Sequence, residues 1–188
     1  MEIEKLKEAL QILTSSSEFA ILVPEVRTNL VMAKENARNE KDVAGFPGRI
    51  TAAHGRAFAC MEPEFGASSH MARMIINIQK YDSDKRSAIN LKYHPKIIEI
   101  CQKLGLKVSS YDRNLEPKDV QNMEGGTIPW GVSAAVEKIG EVPDVIYHTG
   151  GWGKEPIVCL LAPDAIEAAR TSVCIAKLFM DLIRKDII

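Results

Sequence analysis

The sequence predicts an α/β fold in which a mixed, largely antiparallel β-sheet is covered by helices. In the first half, the strand-like segments 49–53 and 56–60 flank His54 and Gly55, a pair suited to a tight hairpin turn. In the second half, helical and strand-like segments alternate along the chain. The length of 188 residues fits one domain, which we expect to span residues 1–188.

The N-terminal segment predicts a helix followed by two short strands. Apolar side chains recur at helical spacing from Ile3 to Leu13, with lysines and glutamates between them, so we assign an N-terminal helix to residues 1–15. Residues 19–23 and 29–33 are short and rich in β-favouring side chains. We expect these two segments to pair with each other.

Beyond the predicted hairpin, the hydrophobic periodicity switches between the helical and the extended repeat. The predicted strands are residues 87–93, 107–111, 144–147 and 157–161. The predicted helices are residues 68–81, residues 95–104, a short helix opened by Pro117, a helix from Pro129 to Gly140, and a C-terminal helix over residues 163–186.

The composition argues against nucleic-acid and membrane partners. Acidic and basic residues nearly cancel, 25 against 24, and no block of like charge occurs. A small-molecule role is therefore favoured. The four cysteines are scattered among apolar neighbours without a C-x-x-C pair, which predicts buried free thiols. No signal-like segment and no run of eighteen apolar residues is present, so we expect a cytoplasmic protein.

The segment FGASSHMAR, residues 65–73, combines a predicted helix start with an imidazole and a guanidinium. Ser68 or Ser69 can accept hydrogen bonds from the amides of the first helical turn. His70 and Arg73 then share one polar face of the helix. Amides at a helix N-terminus, with such side chains beside them, suit a phosphate or pyrophosphate. An ordinary N-cap with a solvated polar face is the alternative interpretation.

Two loops place a cation among glycines. The segment DVAGFPGR, residues 42–49, is predicted to be a loop that holds Arg49 toward a ligand, or an ordinary turn with Arg49 in solvent. The glycine-rich loop over residues 149–156 carries Lys154 and departs from a Walker A motif. We expect this loop to bind phosphate without hydrolysing a nucleotide, a long flexible hairpin being the alternative.

A second helix N-terminus is predicted within GGTIPWG, residues 125–131. Gly126 gives a flexible approach, Thr127 is a possible cap, and a proline occupies the first turn. Such a helix start can face an anion. Trp130 can either stack on an aromatic ligand or fill the core.

The metal-binding potential of the sequence is weak. The four histidines lack the spacings of zinc sites, so we expect no zinc. Asp42, Asp112 and Asp144 lie at predicted strand or loop ends, where a carboxylate could hold Mg²⁺ against a pyrophosphate. The sequence does not choose among them, and Mg²⁺ remains a candidate cofactor.

Taken together, DVAGFPGR, FGASSHMAR, TIPWG and GKEP at residues 42–49, 65–73, 127–131 and 153–156 resemble the ThiN family of thiamine-phosphate synthase domains. The resemblance implies condensation of hydroxymethylpyrimidine diphosphate with a thiazole phosphate, which gives thiamine phosphate and pyrophosphate. It also implies a three-layer α/β/α sandwich of the class II aldolase-like type. The clustered zinc-binding histidines of the aldolases of that fold are missing from this sequence.

The resemblance implies that Arg49 and His70 are the essential residues. Further substrate and phosphate contacts are expected from Ser68, Ser69, Arg73, Gly126, Thr127 and Lys154. It also implies fusion to an N-terminal pyrimidine kinase domain in the full-length protein. Some members of the family are instead thiamine-phosphate-sensing domains of transcriptional regulators, and this is the alternative function. The sequence leaves the oligomeric state open, a homo-oligomer included.

Overall fold

A computed structural model describes residues 1–186 and contains a seven-stranded mixed sheet with a separate two-stranded hairpin. The strands are β1 (Leu30–Ala33), β2 (Val43–Gly45), β3 (Ile50–Ala53), β4 (Arg56–Ala59), β5 (Glu64–Phe65), β6 (Ser87–Lys92), β7 (Val108–Ser110), β8 (Val145–His148) and β9 (Ile157–Ala162). The order of the large sheet is β5-β2-β1-β6-β9-β8-β7. Only the pairing of β7 with β8 is parallel, and the other pairings within this sheet are antiparallel, as predicted.

Six α-helices accompany the strands over residues 1–186, together with three short 3₁₀-helices. The α-helices are α1 (Glu2–Ser15), α2 (Ser69–Ile78), α3 (Pro95–Lys103), α4 (Lys118–Asn122), α5 (Thr127–Ile139) and α6 (Ala165–Asp186). The 3₁₀-helices are Phe19–Leu22, Glu40–Asp42 and Arg113–Leu115. None of these helices is both long enough and apolar enough to cross a bilayer.

The central strands bury side chains on both faces, because helices pack against each face of the sheet. Leu30 and Met32 of β1 join a core cluster with residues of α1, α3 and α6. Val31 and Ala33, which alternate with them, join a second cluster with residues of α2 and α5. The continuous apolar character of these strands follows from burial on both sides.

The predicted strand over residues 19–23 is wrong, and so is its pairing with residues 29–33. The segment forms the 3₁₀-helix Phe19–Leu22, and β1 pairs with β2 and β6 instead. Phe19 and Leu22 are both fully buried, and a spacing of three places them on one side of such a turn. The Ser16 hydroxyl oxygen accepts from the Phe19 amide at 3.2 Å, which fixes the start of the turn.

Two strands near the predicted loop over residues 42–49 were not predicted. Strand β2 lies inside that segment, and β5 pairs with it in the register Ala44 opposite Phe65. These strands have three and two residues, too few for a period-2 pattern to emerge. Gly45 also weakens the strand pattern of β2, because glycine is uncommon inside strands. The close packing of β1 requires glycine here, since an added Cβ would lie only 3.0 Å from Val31 Cγ1.

The hairpin predicted at residues 49–60 is confirmed, but β3 and β4 form their own sheet. Both turn residues are left-handed, with φ of 50° at His54 and 73° at Gly55, as a tight type I′ turn requires. Ile50 and Ala57 are buried, whereas most other side chains of the hairpin are exposed or half-buried. The hairpin therefore covers the sheet rather than extending it.

The remaining elements follow the sequence predictions, apart from their ends. Helix α5 begins at Thr127, two residues before the predicted start at Pro129. Helix α6 begins at Ala165 rather than at residue 163. The cysteine prediction holds for Cys101 and Cys159, which are buried, and is wrong for the exposed Cys60 and Cys174.

We expect Gly131→Ala in α5 to destabilise the protein, although helix propensity alone favours alanine over glycine. An added Cβ would lie 2.7 to 2.9 Å from three ring atoms of Tyr111, whose side chain is buried. Alanine alone would favour the helix by about 1 kcal/mol. Overpacking costs roughly 1–3 kcal/mol, so we expect a net loss in urea unfolding. An unchanged or higher free energy of unfolding would show that the Tyr111 ring moves away freely.

Candidate active site

A central cavity of about 290 Å³ opens between the start of α2, the turn after the first 3₁₀-helix and the loop that joins β8 to β9. The cavity contains several cationic side chains and one carboxylate. Its lining residues are Val26, Asn29, Arg49, Ser68, His70, Met71, Asn90, Arg113, His148, Lys154, Glu155, Ile157 and Cys159.

The cavity widens on two sides into grooves that share its lining residues. The Ser69 groove, about 490 Å³, contains Gly48, Ala67 and Ser69 and shares Arg49 and His70 with the cavity. The Trp152 groove, about 560 Å³, shares Arg113 and Lys154 with the cavity, and its other residues are Asn114, Glu116, Gln121, Met123, Glu124, Gly125, Thr127, Gly151 and Trp152. The shared residues place both grooves beside the cavity, and we refer to the cavity and the two adjoining grooves together as the cleft.

Arg49 reaches the cavity from a strained backbone. Its φ is 67°, a left-handed value that costs a non-glycine residue free energy. Its Nη1 donates to the Val26 carbonyl, and Arg27 Nη1 donates to the Gly48 carbonyl at 3.3 Å. These two bonds join the facing turns and hold the Arg49 guanidinium at the cavity wall.

The start of α2 brings Ser68 and His70 to the cavity and Ser69 to the adjoining groove. Ser68 is the N-cap residue, but neither serine makes the predicted capping bond, since no side chain caps this helix. The amides at this helix start therefore lack a side-chain acceptor of their own. Another face of α2 is apolar, with Met71, Met74, Ile75 and Ile78 all buried.

His70 lies at the entrance of the cavity, where solvent reaches part of the ring and protein atoms surround the rest. This partial burial lowers the pKa of His70 below 6.5, and the positive charges of Arg49, Arg113, Arg73 and Lys154 lower it further. The lowered pKa favours the neutral imidazole at pH 7. An anion bound among these cations would remove part of the effect.

Arg73 does not line the cavity or either groove. Its Nε lies 2.9 Å from Glu40 Oε1, and its guanidinium packs so closely on Gly125 that an added Cβ there would lie 2.2 Å from Nη1. The structure therefore gives Arg73 a role in holding α2 against the segment before α5. Its charge still acts on His70 through space.

Lys154 projects from the loop between β8 and β9 and lines both the cavity and the Trp152 groove. Lys154 has no acidic partner within the described part of the chain. The neighbouring Glu155 fixes the loop, since its two carboxylate oxygens accept from the amides of Glu25 at 2.9 Å and Val26 at 3.0 Å. The one carboxylate of the cavity is thus occupied by backbone donors.

The start of α5 lies farther from the cavity. Thr127 lines the Trp152 groove, and its hydroxyl donates to Glu116 Oε1. Gly126 precedes the helix but does not itself line the groove, where Gly125 does. Trp130 packs edge-on against Tyr111, with ring centroids 5.7 Å apart, in the second core cluster. Core packing therefore accounts for Trp130.

Sequence reasoning did not single out several residues of the cavity, chiefly Arg113, His148, Asn29, Asn90 and Glu155. Asn29 and Asn90 are buried and bond to backbone. Asn90 Oδ1 accepts from the Asn29 amide at 2.7 Å, and Asn29 Oδ1 accepts from the Phe46 amide at 3.1 Å. The sequence carried no signal for this pair, because Asn29 precedes β1, Asn90 lies within β6, and the pairing of these two strands was not predicted. Arg113 and His148 meet only through the parallel pairing of β7 and β8, which the sequence did not reveal.

The predicted magnesium ligands do not fit a metal site in this cleft. Asp42 accepts from the amides of Arg38 and Asn39 and lies 3.5 Å from Lys34 Nζ. Asp112 accepts from Asn114 and caps a 3₁₀-helix. Asp144, the third candidate, accepts from Lys85 Nζ at 2.6 Å. None of the three aspartates lines the cavity or its grooves. The described side chains, which end at residue 185, also include no group of three metal-binding residues close enough to share an ion.

We expect His148 to make the protein acid-sensitive. Burial lowers the pKa of His148 from 6.5 to about 4, with smaller contributions from Arg113 and His70. Between these pH values the unfolded state binds the extra proton, so stability falls as the pH drops from 6.5 toward 4. Urea unfolding at pH 7 and pH 5 should show that His148→Asn removes about 2 kcal/mol of this loss. Equal losses in both proteins would contradict the assignment.

The fold and the cleft define an α/β protein whose central cavity brings arginine, histidine and lysine side chains together, an arrangement suited to phosphate-bearing small molecules. A family model described as thiamine-phosphate synthase ThiN matches residues 5–173. The chain belongs to this family, as the motifs at residues 42–49 and 65–73 suggested.

Two curated relatives support the assignment. Thiamine-phosphate synthase ThiN of Methanothermobacter thermautotrophicus is 50% identical over 97% of this chain and 96% of its own length. The bifunctional thiamine biosynthesis protein ThiDN of Methanocaldococcus jannaschii is 39% identical over 86% of this chain but only 37% of its own length. The ThiN domain therefore occurs within a longer bifunctional chain in one relative and spans nearly the whole chain in the other.

Solved structures agree with the fold. The C-terminal domain of a phosphomethylpyrimidine kinase has a TM-score of 0.84 and 39% identity, covering 94% of this chain and 97% of that chain. A sugar-phosphate aldolase from Thermotoga maritima has a TM-score of 0.52 at 11% identity, covering 96% of this chain and 95% of that chain. The aldolase likeness concerns the fold alone.

Proposed function

We infer that the chain is a thiamine-phosphate synthase that joins hydroxymethylpyrimidine diphosphate to a thiazole phosphate and releases pyrophosphate. The observation that carries this proposal is the convergence of Arg49, His70, Arg113 and Lys154 on one cavity, whose single carboxylate is bonded to backbone amides. Such a site favours substrates that bring several negative charges.

The proposed reaction breaks the bond between the pyrimidine methylene carbon and the diphosphate oxygen, and forms a bond from that carbon to the thiazole nitrogen. Positive charge grows on the pyrimidine and negative charge on the leaving pyrophosphate. Donors already placed beside the leaving group lower the barrier. We assign this role to Arg49, the amides at the start of α2, and His70, which donates a hydrogen bond or a proton to the pyrophosphate.

The two grooves fit the two substrates. We place the diphosphate at the Ser69 groove, next to Arg49 and the uncapped start of α2. We place the thiazole phosphate at the Trp152 groove, where Arg113 and Lys154 can meet its phosphate and the exposed Met123 and Trp152 can meet its ring. Arg113 and Lys154 also line the cavity, so the reacting atoms would meet there.

We also propose that the layers of the fold are those of the class II aldolase-like α/β/α sandwich, and that the chain works as one domain. Helices on both faces of the sheet support the first point. The cleft supports the second, because the loop carrying Arg49, the start of α2 and the loop after β8 all contribute to it. We place Mg²⁺ on the bound diphosphate rather than on protein carboxylates, since the aspartates of the sequence prediction are bonded elsewhere.

The test is direct synthesis. The purified chain is incubated with both substrates, with and without Mg²⁺, and thiamine phosphate and pyrophosphate are measured. We expect both products in equal amounts. Thiamine-phosphate binding without any turnover would support the alternative, a thiamine-phosphate sensor, which neither curated relative supports. Absence of both turnover and binding would overturn the proposal.

A further inference from the structure

His148 ends strand β8 at the inner wall of the central cavity, and its side chain is only 9% exposed. Its Nδ1 accepts a hydrogen bond from the Gly150 amide at 3.1 Å. Its ring also lies against Tyr111, with ring centroids 5.3 Å apart. One nitrogen of the imidazole is therefore fixed by the backbone, and the orientation of the ring is set by its neighbours.

The bond to Gly150 determines what the other nitrogen can do. In a neutral imidazole, an accepting Nδ1 leaves the proton on Nε2, which becomes a donor. Nε2 has no hydrogen-bond partner among residues 1–186. Among the described residues, Gln79 Oε1 is the only side-chain polar atom that is fully buried and lacks a hydrogen-bond partner. His148 Nε2 is therefore not fully buried. The His148 Nε2–H group is therefore reachable from the cavity.

The other neutral polar side chains of the inner cavity are less available. Asn90 Nδ2 donates to the Arg27 carbonyl at 2.9 Å, and its Oδ1 accepts from the Asn29 amide. Asn29 bonds with both polar atoms to the backbone of Phe46. Beside them, Met71, Ile157 and Cys159 give this part of the cavity an apolar wall.

Resting on the proposed function, we propose that His148 binds the pyrimidine ring of the diphosphate substrate, with Nε2–H donating to a ring nitrogen. A flat heterocycle with ring-nitrogen acceptors matches an apolar wall with one fixed donor. The cations at the entrance then hold the diphosphate. His148 thus sets which heterocycle is accepted, separately from the groups that bind the phosphates.

The neutral state of His148 suits this role. Burial and the charges of Arg113 and His70 keep its pKa near 4, so the ring stays neutral at physiological pH. A neutral donor orients the pyrimidine without adding a positive charge beside it. A charged imidazolium would oppose the positive charge that develops on the pyrimidine as pyrophosphate leaves.

Two substitutions separate the two nitrogens. His148→Asn keeps an acceptor near the position of Nδ1 for the Gly150 amide but loses the donor at Nε2. His148→Gln places an amide donor near the position of Nε2 but loses the Nδ1 acceptor. Thermal unfolding at pH 7 checks that both variants fold.

Steady-state kinetics then test the proposal. We expect His148→Asn to raise KM for the pyrimidine diphosphate about 10-fold to 100-fold, a size typical of one lost hydrogen bond to a buried partner, with KM for the thiazole phosphate nearly unchanged. We expect His148→Gln to restore much of the loss. Equal effects of both variants on both substrates would mean that His148 only anchors the loop, and would overturn the proposal.

Binding probes distinguish this proposal from the proposed function. Unphosphorylated hydroxymethylpyrimidine carries only the ring, and inorganic pyrophosphate carries only the charge. Calorimetry should show that His148→Asn weakens binding of the first and leaves binding of the second unchanged. If the wild-type chain makes no thiamine phosphate but this contrast holds, the proposed function fails and the ring site stands. If thiamine phosphate is formed but His148→Asn does not weaken hydroxymethylpyrimidine binding selectively, the proposed function stands and only the role of His148 is excluded.

Discussion

Arg49→Ala is expected to lower kcat for thiamine-phosphate formation by about 100-fold to 1,000-fold, the loss typical of removing one preplaced donor to a developing anion. The guanidinium lines both the central cavity and the Ser69 groove, and we assign it to the leaving pyrophosphate. The measurement is initial-rate kinetics at saturating concentrations of both substrates. A kcat within threefold of wild type would remove Arg49 from the mechanism.

The backbone of Arg49 provides a matched control. Its φ of 67° is unstrained for glycine and strained for alanine. Arg49→Gly should therefore be about 1 kcal/mol more stable than Arg49→Ala while being equally inactive. Arg56→Ala, in the exposed strand β4 of the same hairpin, should keep nearly full activity. If Arg49→Gly were clearly more active than the less stable Arg49→Ala, the loss of activity would instead reflect a folding defect.

The strain at Arg49 also explains a limit of sequence reasoning. The loop around Arg49 was predicted from two glycines and a proline, and the structure places Arg49 at the wall of the cavity. The hydrogen bonds that fix it, from Arg49 to Val26 and from Arg27 to Gly48, join segments more than twenty residues apart. No local pattern encodes such contacts, so the sequence could propose the residue but not its geometry.

The prediction of helices and strands was limited in the same way. Long periodic segments such as α2, α3 and β6 were predicted, because many residues repeat the signal. The predicted strand over residues 19–23 was wrong, because a short run of apolar residues fits a buried strand or a buried turn equally well. Tertiary burial of Phe19 and Leu22, which the sequence does not show, decides between them.

The candidate site was predicted where charge and local structure coincide, and missed where the topology assembles it. Ser68, His70 and Lys154 were named and lie in the cavity. Arg73 was named for its position one turn after His70, but its guanidinium pairs with Glu40 and lies outside the cavity. His148 was not assigned a role, because its partner Gly150 and the burial that keeps it neutral are properties of the folded chain.

His70→Ala is expected to reduce kcat/KM by about 100-fold to 10,000-fold, the range for a group that donates to a leaving group. Alanine favours the helix at this first-turn position, so folding should be retained. His70→Gln, which keeps a neutral donor of similar reach, separates hydrogen bonding from proton transfer. Substantial activity in His70→Gln would mean that a hydrogen bond suffices, and wild-type turnover in His70→Ala would exclude both roles.

Proton uptake distinguishes His70 from a merely structural residue. Burial and four nearby positive charges hold the pKa of His70 below 6.5, which favours the neutral imidazole at pH 7. Bound pyrophosphate offsets those charges and raises that pKa, and the imidazole then takes up a proton. Calorimetry of pyrophosphate binding in buffers of different ionisation enthalpy should detect more proton uptake by the wild-type protein than by His70→Gln. Equal uptake would leave His70 neutral in the complex, and it would then act only as a hydrogen-bond donor.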